Sequence, residues 1–288
     1  SGAEANECAI KLARRCAHAR GVEAPEIVVL DGAFHGRTLG TLAATPRLAR
    51  EDQFGPLPPG LVAVARDDAE ALRAAVTERT AAVMVEPIQG EAGVFPIADE
   101  VLVAAREACD ETGALLIADE IQTGMGRTGS LWAYEQLPMR PDVITAAKAL
   151  GGGLPLGACV TDAELGGVLG RGDHGSTFGG GPVPASAALA AIDLVDDPEL
   201  LRRVRELGGL FMERLSGFEA VADVRGRGLM IGVTLVEGLD AAEVAGRALG
   251  EGLVINVPGP GMLRFLPPLT IEADQLDDAG RIMASVLA

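Results

Sequence analysis

An α/β architecture is predicted for this chain: a mostly parallel sheet flanked by helices, followed by a smaller C-terminal α+β domain. Three observations carry that expectation. Six short apolar runs, at 27–30, 61–65, 81–85, 114–118, 142–146 and 157–160, have the length and branching of buried strands. Helical patterns at about 68–76, 99–111 and 184–194 alternate with them, as in parallel sheets covered on both faces. Beyond residue 194 the texture changes to a charged amphipathic helix at 200–215, a strand at 228–235 and helices at 241–250 and 273–287. The expected division is a large domain over 1–194 and a small one over 195–288, and 288 residues can bury a core for each.

The chain opens on Ser1-Gly2-Ala3-Glu4, an S-x-x-E capping box at the start of a helix expected to reach about Arg20. Glu4 and Glu7 near its start and Lys11, Arg14, Arg15 and Arg20 towards its end suit the helix dipole, and Ala9, Ile10, Ala13, Cys16 and Ala17 form its apolar stripe. Small residues with free N–H groups at a helix start can hold an anion, although many helices begin this way.

Two of the buried runs end in charge: 115–118 leads into Asp119, and 143–147 into Lys148. Ionised groups at the ends of buried strands are costly unless paired or used. Sites of parallel sheets lie beyond the carboxyl ends of the strands, where these two residues fall. One cofactor uses an amine and a carboxylate together: pyridoxal phosphate takes a lysine as its Schiff base and an acid on its pyridinium nitrogen.

Other positions add to the pair. Phe34-His35-Gly36-Arg37 follows a strand and a turn; an aromatic there can cover a planar ring, and an arginine can grip a carboxylate in a fork. Arg264 is embedded in apolar residues at 263–269 and needs an anion, for which Glu91 is a candidate. Ser176 and Thr177 sit among glycines, where their hydroxyls could reach a phosphate edge. Gly124-Met125-Gly126-Arg127-Thr128-Gly129 matches G-x-G-x-x-G, but Asp119–Thr123 separate it from the strand, so the dinucleotide fingerprint requires a helix that the sequence disfavours. No P-loop motif is present.

Forty-one acidic against 24 basic residues, a formal charge of −17, argue against nucleic acid as a partner. No apolar stretch reaches the roughly 20 residues that span a bilayer, and no secretion-signal pattern opens the chain. Cys8, Cys16, Cys109 and Cys159 are scattered with no C-x-x-C, and histidines number three, so free thiols of a cytoplasmic protein and no metal site are expected.

Taken together, these residues resemble a class III (fold type I) pyridoxal-phosphate aminotransferase of the acetylornithine type. The segments that carry the resemblance are SGAEANE at 1–7, FHGRT at 34–38, VEPIQGEAG at 85–93, ADEIQTGMGRTG at 118–129, AKALGGG at 147–153, HGSTFGG at 174–180, RGRGLMIG at 225–232 and LRFLPPL at 263–269. The resemblance implies that Lys148 carries the Schiff base, Asp119 pairs with the ring nitrogen, Gln122 contacts the phenolic oxygen and Phe34 covers one ring face. It implies phosphate contacts from Gly2 and Ala3, and from Thr177 to the cofactor of a neighbouring subunit, with Glu120 and Ile121 joining the cofactor-binding set. Arg37 and Ser176 would contact an acylated amino acid, and Arg264, with Glu91 as its gate, the carboxylate of glutamate or 2-oxoglutarate. The implied activity is transfer of the δ-amino group of N2-acetyl-L-ornithine to 2-oxoglutarate in arginine biosynthesis, by a cytoplasmic homodimer. Ornithine, succinylornithine, 4-aminobutyrate or a carrier-linked aminoadipate semialdehyde are alternative substrates, and an inactive remnant is the alternative from another class. The chain departs from the family at Gly181, where asparagine is usual, and at Ala118, where phenylalanine is usual. Relatives also carry a stretch ahead of the 1–7 segment, implied to supply substrate contacts and dimer surface, and the chain reads as lacking it.

Overall fold

The computed structural model describes residues 1–50 and 53–288. The chain runs α1 (Gly2–Ala19), β1 (Glu26–Leu30), α2 (Leu39–Ala43), α3 (Pro46–Arg50), β2 (Leu61–Val64), α4 (Ala69–Ala75) and β3 (Thr80–Val85). A two-stranded hairpin follows, β4 (Ile88–Gln89) and β5 (Phe95–Pro96), then α5 (Asp99–Thr112), β6 (Leu115–Asp119), β7 (Val143–Ala146), β8 (Ala158–Thr161), α6 (Ala163–Gly166) and α7 (Pro182–Val195). The remainder is α8 (Pro198–Ser216), β9 (Val221–Arg227), β10 (Met230–Leu235), α9 (Ala241–Gly250), β11 (Asn256–Gly259), β12 (Met262–Phe265) and α10 (Ala273–Leu287). These elements form two compact units. The first holds Ser1–Pro87, Ile97–Gly124 and Tyr134–Leu194; the second takes Ile88–Pro96 and Met125–Ala133 together with Val195–Ala288.

In the first unit a six-stranded sheet has the order β2-β1-β3-β6-β7-β8. All pairs are parallel except β7 with β8 at the edge. Alternate side chains of each strand feed opposite faces. Val28, Leu30, Val83, Val85 and Leu116 pack with Leu72 of α4 and Val101, Leu102 and Cys109 of α5. Ile27, Val29, Met84, Ile117 and Val143 pack with Ala9, Ile10 and Ala13 of α1. Strands buried on both faces read as continuous apolar runs, which is why they were visible in the sequence. The chain leaves β1 for β2 on one side and β3 for β6 on the other, so the order reverses between β1 and β3, where open α/β sheets form their crevice.

The second unit is built on an antiparallel sheet, β11-β12-β10-β9. One face is covered by Val204, Phe211 and Leu215 of α8, Val244 and Ala248 of α9, and Leu276, Met283 and Val286 of α10. Phe211 meets Phe265 of β12 edge to face, with ring centroids 5.5 Å apart. Its helices and β10 follow the apolar periodicity. Strands β9, β11 and β12 do not: β9 is VADVRGR, largely half-exposed, and lacks a sequence period of its own.

Residues 121–130 form a succession of turns and bends with no helix, so the glycine run does not open a dinucleotide-type helix. Among the described residues no helix is long and apolar enough to cross a membrane, and no group of three His, Cys, Asp or Glu side chains could hold a metal ion. The four cysteines carry no disulfide.

Candidate active site

The carboxyl ends of β1, β3, β6 and β7 open into one cavity of about 540 Å³ in the first unit, a size suited to a small organic ligand. Each strand delivers its residue at its carboxyl end or in the loop that follows. Phe34 and His35 follow β1, Glu86 follows β3, Asp119 ends β6 and Lys148 follows β7, and all five line the cavity. The first turn of α1 closes one side with Ser1, Gly2 and Ala3. Its capping box is formed, with the Ser1 side chain accepting from Glu4 N and the Glu4 carboxylate turned back to the N-cap. Two glycines allow this approach: a Cβ on Gly2 would stand 2.8 Å from Ile121 Cδ1, and one on Gly157 would collide with the Ser1 carbonyl.

Asp119 is the fixed charge of the cavity, 3% exposed. Its Oδ2 accepts from Asn6 Nδ2 at 2.8 Å and from His35 Nδ1 at 2.7 Å, and its Oδ1 accepts from Ile121 N at 3.1 Å. An ionised carboxylate has about four acceptor positions, so these three donors leave room for one more N–H from the cavity. Asn6 also donates to the His35 carbonyl at 2.7 Å, and His35 N donates to Thr45 Oγ1 at 3.0 Å, so the loop after β1 is clamped from both sides. Burial opposes charge on His35, but the hydrogen bond and charge of Asp119 outweigh it and raise the imidazole above its ordinary value. Glu86, also buried, accepts Phe34 N at 2.8 Å. Burial, with the nearby Asp119 charge, pushes its carboxyl up to about 7, against the opposing pull of His35, Phe34 N and Lys148.

Lys148 sits two residues beyond β7 at φ +52°, a left-handed conformation that costs a non-glycine residue of the order of 1–3 kcal/mol. Its strand is largely buried, and the lysine side chain itself is exposed at the cavity. Gln122 and Ile121 line the cavity as well. Glu120 does not: its Oε1 accepts Tyr134 N at 2.8 Å, its Oε2 accepts the Thr123 hydroxyl, and its N–H donates to the Thr145 carbonyl at 2.9 Å. Of the pair after β1, Phe34 is half-buried in the wall, and the exposed Arg37 guanidinium lies 5.7 Å from its ring centroid. Ser176 and Thr177 are not brought into this cavity. Both are exposed on the loop before α7, and Ser176 faces a neighbouring depression with Ser1, Cys8 and Leu156.

In the second unit Arg264 of β12 is 9% exposed and donates from Nη1 to Glu91 Oε1 at 2.8 Å. Glu91, on the loop of the β4–β5 hairpin, keeps 44% of its side chain in water.

The residues present fit pyridoxal phosphate. An accepting carboxylate with a vacant position, an aromatic wall, a lysine amine and the N–H groups of an 18-residue helix surround a cavity of suitable size. Sequence reasoning missed Asn6, His35 and Glu86. Two carried a signal: Asn6 is a polar residue on the apolar stripe of α1, and Glu86 ends a buried strand just as Asp119 does.

A model of the family described as aminotransferase class-III matches residues 1–287. The acetylornithine aminotransferase of Methanocaldococcus jannaschii is 46% identical over 282 residues, covering 96% of this chain and 70% of that protein. That of Corynebacterium efficiens is 45% identical over 291 residues, covering 100% and 70%. Among solved structures, the ornithine aminotransferase of Toxoplasma gondii superposes with a TM-score of 0.94 at 33% identity, covering 100% of this chain and 71% of that one. The N-acetylornithine aminotransferase of Stenotrophomonas maltophilia does so with a TM-score of 0.84 at 34% identity, covering 99% and 72%.

Proposed function

Because this chain belongs to the class III aminotransferases, fold type I enzymes that use pyridoxal phosphate to pass an amino group from an amino donor to a keto acid, we propose that its donor is N2-acetyl-L-ornithine and its acceptor 2-oxoglutarate. The products are N-acetylglutamate 5-semialdehyde and glutamate, a step of arginine biosynthesis. The observation that carries this reading is the convergence of Lys148 and Asp119 on one cavity in a chain 46% identical to an acetylornithine aminotransferase.

Bound pyridoxal phosphate supplies an aldehyde that condenses with amines and a ring that takes up the electron pair left when a neighbouring carbon loses its proton. Lys148 anchors the cofactor and then moves that proton with its Nζ, accepting it from the δ-carbon of the donor. Asp119, held by Asn6, His35 and the Ile121 N–H, keeps a proton on the ring nitrogen through its remaining acceptor position. Phe34, Gln122, Gly2 and Ala3 line the cavity and would hold the cofactor: Phe34 against its ring, Gln122 toward its phenolic oxygen, and the backbone N–H groups of Gly2 and Ala3 toward its phosphate at the positive end of α1. Arg37, which lines the cavity, contacts the acylated amino acid, whereas Ser176 lies outside that cavity. Arg264 holds the carboxylate of 2-oxoglutarate, exchanging Glu91 for it.

The assembly is a homodimer in this reading, with Thr177 reaching the phosphate in the partner. Supporting it, α7 buries Ala188 and leaves Val183, Leu189 and Leu194 each more than 65% exposed. Apolar surface of this kind marks an interface. Four thiols without a disulfide suit a cytoplasmic enzyme.

A donor panel with 2-oxoglutarate as acceptor tests the reading. N-acetylornithine is expected to exceed ornithine, succinylornithine and 4-aminobutyrate in kcat/KM by about tenfold or more. An ornithine preference would favour the second reading, which the 0.94 TM-score to an ornithine aminotransferase supports. Lys148→Ala is expected to abolish both turnover and the borohydride-trapped cofactor adduct seen by mass spectrometry; an adduct that survives would overturn the assignment of Lys148.

A further inference from the structure

Gly232 of β10 pairs with Arg225 of β9 on one side and with Arg264 of β12 on the other. Directly paired residues of an antiparallel sheet project to the same face, so two arginines flank a position that has no side chain. The loop of the β4–β5 hairpin is seated there. A Cβ on Gly232 would stand 2.5 Å from the Gly93 carbonyl oxygen and 2.8 Å from Val94 Cβ. Val94 is fully buried with Ile88 and Met230, at φ +60°.

Arg225 ties this loop down. Its Nη2 donates to the Gly93 carbonyl at 2.7 Å, and its Nη1 donates to Thr234 Oγ1 at 2.6 Å and Asp223 Oδ2 at 2.7 Å. The guanidinium lies over the Phe95 ring, 3.9 Å from the centroid. The same loop carries Glu91, two residues before the pinned carbonyl, and Glu91 reaches the second arginine of the row.

We infer that Arg225 is a positioning residue for the Glu91–Arg264 pair: by holding the Gly93 carbonyl it fixes the backbone under Glu91, so that the carboxylate competes for Arg264 by side-chain rotation alone. Side chains rotate in picoseconds to nanoseconds, whereas loops rearrange in nanoseconds to microseconds. A fixed backbone also keeps the local concentration of the carboxylate high. The strength of the pair, and with it the ease with which a dicarboxylic substrate displaces Glu91, is therefore set partly by Arg225. This rests on the proposal that Arg264 receives a substrate carboxylate.

The test compares Arg225→Gln, Glu91→Gln and the double variant in the full chain loaded with pyridoxal phosphate, following each half-reaction. Glu91→Gln removes the competitor and lowers KM for 2-oxoglutarate. Arg225→Gln is expected to lower it in the same direction by about threefold to tenfold, with a much smaller change in kcat, and to add nothing in the double variant. Arg225→Lys, which can still donate to the carbonyl, restores part of the effect. Equal loss of kcat in both half-reactions with KM unchanged, or fully additive effects in the double variant, overturns the inference while leaving the reading of Arg264 intact. No change in KM with Glu91→Gln overturns both. If circular dichroism shows Arg225→Gln unfolded, Gly232→Ala, which pushes on the same carbonyl, carries the comparison with the same outcomes.

Discussion

The two charged centres of this protein are built on opposite principles. Asp119 is buried and held by three donors: Asn6 of α1, His35 of the loop after β1 and the backbone N–H of Ile121. Arg264 is nearly as buried, but its partner Glu91 lies almost half in water on a hairpin loop. Leaving a buried charge unpaired is expensive, so a network closed at both ends stays put. A pair with one end in water can trade that end for another carboxylate at little cost. The first arrangement suits a charge that must remain through every turnover, and the second suits a charge that must change partner.

The contrast can be broken from either side. The largest effect is expected at the closed network. Asp119→Asn should retain bound cofactor, read from its absorbance, yet slow proton abstraction in single turnover by about 10²–10⁴-fold; near-normal rates would remove Asp119 from the chemistry. At the open pair, Arg264→Lys loses the planar fork and should raise KM for 2-oxoglutarate by about tenfold to a hundredfold, with the acetylornithine half-reaction much less affected. Equal effects on both halves would show that Arg264 does not discriminate between the substrates.

The smallest effect belongs to Glu86. Its carboxyl is raised from 4.5 to about 7, so an unfolded chain releases this proton first as the pH climbs. Its contribution to stability is fully present below pH 4.5 and is lost as pH rises through about 7. His35, also raised, acts in the same direction: its contribution is present below its ordinary value of 6.5 and lost as pH passes its higher folded value. Glu86→Gln keeps an acceptor for Phe34 N and should flatten part of the fall in melting temperature between pH 4.5 and 7. A variant profile with the same slope as the wild type over that window would contradict the assigned shift.

Much of the first unit was legible because its strands are buried on both faces and betray themselves as apolar runs, so residues that end them in charge stand out. Asp119 and Lys148 were found that way, and the same test applied to Val85-Glu86 would have found Glu86. The hairpin at 88–96 and strand β9 were not legible, since the segments are short, polar or bent by glycine; β4 pairs with β5 and β9 with β10. Ser176 was grouped with the substrate pocket on motif alone; it lies on an exposed loop beside Thr177, whose implied partner is the cofactor of a neighbouring subunit.

Local sequence was therefore enough to settle the sheet, its charged strand ends and the capped helix beside them, because each depends on periodicity or on neighbours a few residues away. The tertiary fold alone decided which charges are locked and which are exchangeable. The bonds from Asp119 to Asn6 and His35 span 113 and 84 positions, and that from Arg264 to Glu91 spans 173. Contacts over such separations leave no local pattern, because burial and direction at each end are set by packing against other elements.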